Sequence, residues 1–102
     1  ANFNNTDLNN VDFRYSDLSN VNLCYAELRN VNLSYAKNIL QFGPMRSSGR
    51  MVYAVNHYTK VMIKAGCFWG DTEEVREKIK NDPKRFDYIL LCDLAERVFL
   101  KK

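Results

Sequence analysis

The sequence predicts a mainly β fold with some α structure. A short solenoid over residues 1–36 is closed by a small α+β domain over residues 37–102. Three observations predict it. Phe or Leu returns at every fifth position from Phe3 to Leu33, two strand-like segments follow near Met51 and Lys60, and two capped segments of helical period end the chain.

The repeat comes first because missing it would misassign everything after it. Written in fives, the chain begins ANFNN, TDLNN, VDFRY, SDLSN, VNLCY, AELRN, VNLSY. The third position is Phe3, Leu8, Phe13, Leu18, Leu23, Leu28 and Leu33, and the first is always small or β-branched. The second is always Asn, Asp or Glu. If Phe plus Leu make up roughly one residue in seven, seven hits in register arise by chance on the order of once in a million. A period of five fits neither a helix nor a flat strand. It suits a chain that turns a corner every five residues, with the first and third positions pointing inward.

These residues resemble the A(D/N)LXX pattern of the pentapeptide-repeat family. The resemblance implies a right-handed quadrilateral β-helix with four faces per coil, roughly twenty residues, the length expected of a solenoid repeat. Residues twenty apart should then stack: Phe3 on Leu23, Leu8 on Leu28, Phe13 on Leu33, and outside them Asn2 on Asn22, Asn10 on Asn30 and Tyr15 on Tyr35. The register fails at Asn38, giving seven faces and a little under two coils. So short a solenoid needs capping. The C-terminal part is expected to cap one end, and a symmetric homodimer, or repeats lost upstream of Ala1, to cover the other. Some larger members of the family mimic DNA with an acidic rod and bind a topoisomerase. Four acids against two arginines up to Tyr35 do not make such a rod.

After the repeats, Gly43-Pro44 and Ser48-Gly49 mark residues 41–50 as a loop. Met51 to Asn56 is a strand, His57-Tyr58-Thr59 a turn, and Lys60 to Ala65 the return strand. In that strand Val61, Ile63 and Ala65 face in, while Lys60, Met62 and Lys64 face out. Asp71 with Glu74 reads as a capping box for a first helix. Asp82-Pro83 starts a second, whose core stripe is Phe86, Leu90, Leu94 and Val98, widened by Ile89 and Leu91.

Two further resemblances concern chemistry. Ala65-Gly66-Cys67-Phe68-Trp69-Gly70 resembles the GCFWG signature of methionine sulfoxide reductase A, which implies a nucleophilic thiol at Cys67 near a helix start. It covers six residues of 102, and the carboxylate, tyrosines and resolving cysteine of that family have no matching motif. Packing is the preferred reading: Phe68 and Trp69 anchor a strand–helix corner around a small Cys67. The whole C-terminal part is similar to a module of small phage and prophage proteins, which implies a mobile-element setting and supplies no catalytic residue.

The net charge is +3, made up of −2 up to Tyr35 and +5 after it. That half is the one to meet an anion. Arg46, Ser47, Ser48 and Arg50, with Lys60 and Lys64 on the outer hairpin face, are the candidate ligand-binding residues. They do not form a P-loop, because the Gly-Lys-Ser/Thr end is absent. Three cysteines at irregular spacing give neither a disulfide framework nor a metal pattern, so no cofactor is expected. No apolar run reaches the ~20 residues of a membrane span. The expectation is a cytoplasmic, dimeric, non-catalytic binding protein whose partner is an anionic small molecule or a protein rather than nucleic acid. In a phage setting it would antagonise a host defence by binding a protein or sequestering an anionic nucleotide signal. A thiol-dependent reductase using Cys67 and a structural assembly module are the alternatives.

Overall fold

The computed structural model describes residues 2–46, 48–66 and 68–100. In the repeat segment the chain winds into two stacked coils. Parallel bridges join Asn2 to Asn22, Asp7 to Glu27, Asp12 to Asn32 and Asp17 to Lys37, each twenty residues apart. Backbone hydrogen bonds run both ways along them, from Leu8 N–H to Glu27 O and from Glu27 N–H to Thr6 O, for example.

The corners explain the pentad. Asn5, Asn10, Tyr15, Asn20, Tyr25, Asn30 and Tyr35 all have φ between 58° and 66°. Asn5, Asn10, Tyr15, Tyr25 and Tyr35 each occupy the third place of a turn closed by the next residue's N–H, as from Thr6 to Phe3 O and from Ser16 to Phe13 O. A positive φ at that place is what a type II turn demands, and Asn tolerates it better than most residues. The acidic-or-amide second position has its own cause. Its side-chain oxygen accepts from the amide two residues on: Asn4 to Asn2, Asn9 to Asp7, Arg14 to Asp12, Ser19 to Asp17, Cys24 to Asn22 and Ser34 to Asn32. Glu27 is the exception. Arg29 N–H instead donates to Asn9 Oδ1 in the coil above, at 2.7 Å. The expected outer amide ladder is therefore corrected for the second positions, whose side chains brace their own corners.

Beyond the coils, the described residues form four strands and two helices: β1 Ile39–Phe42, β2 Val52–His57, β3 Lys60–Ala65, β4 Phe68–Asp71, α1 Thr72–Ile79 and α2 Phe86–Leu100. A short 3-10 turn, Pro83–Arg85, precedes α2. The strands form one antiparallel sheet in the order β1-β2-β3-β4. The expected lone hairpin is thus corrected: β1 and β4 flank it. The chain is a mixed α/β structure in which the coils contribute isolated bridges rather than strands. β1 was legible only as the end of the repeats, and β4 was concealed in the segment read as a strand–helix corner.

Both faces of the sheet are covered. Val52, Ala54, Val61, Ile63 and Ala65 pack with Tyr88, Leu91, Cys92 and Ala95 of α2. From the other face, Ile39, Tyr53 and Val55 enter a second cluster with Leu8, Leu18, Val21, Leu23 and Ala26 of the coils. The sheet is a wall shared by coils and helices. An asparagine network ties its edge to the coils: Asn56 Nδ2 donates to Asn38 Oδ1, Asn38 Nδ2 to Asp17 Oδ1, and Tyr58 N–H to Asn20 Oδ1.

The stripe expected to bury α2 is corrected. Phe86, Leu90, Leu94 and Val98 are about half exposed. The helix turns Tyr88, Leu91, Cys92 and Ala95 to the sheet instead, with Phe99 packed against them. These residues also recur at helical spacing, and the small Cys92 and Ala95 let the helix axis approach the sheet closely. α1 meets α2 through Arg76, which donates to both Glu96 oxygens and to Asp93, and through Thr72 Oγ1, 2.7 Å from Glu96 Oε2. These bonds, Glu96 foremost, raise the pKa of Arg76 above its ordinary value.

Candidate functional site

A cavity of about 250 Å³ opens between the helix-covered face of the sheet and the helices themselves. Its floor is aliphatic: Ile63 and Ala65 from β3, Val75 and Ile79 from α1. Phe68 of β4 and Tyr88 of α2 supply aromatic walls, and Arg50, Lys78, Asp82 and Arg85 stand around the mouth.

Each rim group has a local reason for its place. The α1 capping box is present as expected, with Asp71 accepting from Glu74 N–H and Glu74 from Asp71 N–H. It fixes the start of the helix, and Lys78 follows two turns on, its ammonium 4.9 Å above the Phe68 ring. Asp82 caps the 3-10 turn by accepting from Lys84 N–H. Arg85 closes that turn, 3.7 Å from the Asp82 carboxylate and 5.8 Å over the Tyr88 ring. Arg50 lies against Gly66. A Cβ at that glycine would sit 2.8 Å from the Arg50 guanidinium, and its φ of +60° suits glycine as well. Three cations face one carboxylate, so the mouth is electropositive above an apolar interior.

The residues expected from sequence divide between this mouth and other places. Arg50 lines the cavity. Ser48 supports it from behind, its Oγ 2.7 Å from the Tyr88 hydroxyl. Arg46 is exposed and not part of the lining. Lys60 pairs with Asp71 at 3.4 Å. Lys64, expected on an exposed face, is 5% exposed and donates to Gly66 O. The correction has a plain cause: in register Lys64 lies between Tyr53 and Trp69, on the face that the coils cover. Ser47 and Cys67 lie outside the described residues.

Sequence reasoning missed Lys78 and Arg85. Lys78 stands one position before Ile79 at the end of an amphipathic helix. That adjacency to a buried face was the available signal. Phe68 and Trp69 do not anchor a strand–helix corner. They sit on β4 and point to opposite faces, Phe68 to the helices and Trp69 to the coils.

The thiols that are described offer little for chemistry. Burial pushes the Cys92 pKa up to about 12, which favours the neutral thiol. Cys24 is half-buried in the coils. Among the described residues no group of three or more His, Cys, Asp or Glu could hold a metal ion. No helix among them is long and apolar enough to cross a membrane.

Residues 1–37 match the family model for pentapeptide repeats, in eight copies. The match runs one residue past the expected boundary, and Lys37 still bridges to Asp17 before Asn38 breaks the pattern. Proteins built on these repeats are generally non-enzymatic and act by interaction or as structure. Comparison with curated proteins and with solved structures found no match. The resemblances of the C-terminal part to phage proteins and to methionine sulfoxide reductase A gain no support from the comparisons.

Proposed function

We propose that this chain is a non-catalytic binding module that captures an anionic partner at the mouth formed by Arg50, Lys78 and Arg85. One observation carries the reading: three cations converge on a cavity whose interior is apolar. A low-dielectric floor strengthens charge–charge attraction at its rim, and guanidinium groups suit phosphate or carboxylate oxygens. In this reading the coils form two turns of a right-handed quadrilateral β-helix. Their role is to hold the sheet from behind, so that β3 presents a fixed floor and β4 a fixed wall.

The test is chemical-shift mapping of the full chain with inorganic pyrophosphate at low salt. Shifts concentrated on the amides around Arg50, Lys78 and Arg85 are expected. Shifts spread evenly over Lys37, Lys60 and Arg97, or no shifts at all, would refute the reading.

A further inference from the structure

The lining narrows what can enter, an inference that rests on reading this cavity as a binding site. Ile63, Ala65, Val75 and Ile79 offer no side-chain polar atom to a ligand. The one hydroxyl among the described lining residues, on Tyr88, is engaged with Ser48 at 2.7 Å. The ionic groups Arg50, Lys78 and Asp82 are exposed, whereas Ile63, Ala65 and Val75 are buried. Charge therefore belongs to the mouth and hydrocarbon to the interior.

We infer that the ligand is a compact amphipathic anion: a phosphate or phosphonate head at the mouth, carrying a short aryl or branched alkyl body that fills the floor. Size agrees, because about 250 Å³ lies just below the ~300 Å³ at which pockets for drug-sized ligands begin. Charge agrees too. Three cations against one carboxylate favour a dianionic head over a monoanionic one. A nucleotide fits poorly: its base would bring several edge donors and acceptors against aliphatic side chains, where each would lose its water without gaining a partner. The cavity thus discriminates against nucleotides while retaining their charged end.

Titration calorimetry on the full chain at low salt tests this with phenyl phosphate, inorganic phosphate, phenol and ATP. Phenyl phosphate should bind at least tenfold more tightly than each of the other three. Ile79→Phe, which fills the floor, should weaken phenyl phosphate at least tenfold and leave inorganic phosphate unchanged. Lys78→Ala with Arg85→Ala should weaken both phosphates, and Lys60→Ala neither, with melting curves confirming that each variant is folded. Equal affinity for phenyl phosphate and inorganic phosphate would overturn the hydrocarbon body while leaving anion capture standing. Tighter binding of ATP would overturn the exclusion of nucleotides. No binding by any of the anions would remove both the inference and the reading beneath it.

Discussion

In the coils, a residue's direction is set by its place in a group of five; in the sheet and helices, it is set by what happens to pack against it. Leu23 points inward because it follows Asn22 in a corner whose hydrogen bonds are local, and any chain with that corner would turn it inward. Leu94 points outward although its neighbours at helical spacing are as apolar as those of Leu91. Nothing within α2 alone decides between the two stripes. The first half encodes geometry locally, whereas the second is sorted by tertiary contact.

Substitutions can break or sharpen that contrast. The largest loss is expected where both kinds of encoding bury a large side chain. Leu23→Asn places an unpartnered amide between the coils, and Leu91→Ala opens a cavity under α2. Each should cost about 3 kcal/mol in chemical denaturation. Leu94→Ala, on the expected but exposed stripe, should cost under about 1 kcal/mol. Equal losses at Leu91 and Leu94 would mean that α2 is rotated from the position described. Next is Glu96→Ala, which strips Arg76 of its main partner and Thr72 Oγ1 of its acceptor. A loss of about 1–2 kcal/mol is expected, held down because Arg76 is one-third exposed.

High pH probes the thiol buried between sheet and helix. Burial raises the Cys92 pKa from 9.0 to about 12, so the unfolded chain gives up the proton first. Stability from this group is intact below pH 9 and is eroded as pH rises from there toward 12, by up to about 1.4 kcal/mol per pH unit. Melting curves of wild type and Cys92→Ala should therefore converge with rising pH. A constant gap would contradict a buried neutral thiol.

A small effect is also expected in the coils. Asn9→Ala removes the acceptor for Arg29 N–H and a contact to Glu27, at about 1 kcal/mol. An outward position would be silent in an ordinary surface loop. Here it replaces the corner bond that Glu27 does not make.

The same contrast explains what was legible. Every third-position residue from Phe3 to Leu33 could be placed from spacing, because the period is local and redundant. So could the β2–β3 hairpin and the Asp71–Glu74 cap, whose signals lie within a few residues. Lys64 could not. Its alternation was read correctly, but only the arrival of the coils on that face buries it. β4 could not either, since Phe68-Trp69-Gly70 gives too short a run to show a period. The cavity was half legible: Arg50 stood out in a basic loop, while Lys78 and Arg85 join it only through the packing of α1 and the turn before α2. Cations from three separate segments converge there with no sequence spacing to announce them.

The central structural claim is that one sheet serves both halves, with Tyr53 and Val55 under the coils and Ala54 and Val52 under α2. Native-state hydrogen exchange on Val55→Asp, which charges only the coil-facing side, tests it most directly. The amides of Leu8, Phe13 and Leu18, bonded between coils, should lose protection together with those of Leu91, Cys92 and Ala95 in α2, as parts of one cooperative unit. Loss of protection in the coils alone, with α2 exchanging as in the wild type, would contradict the shared wall.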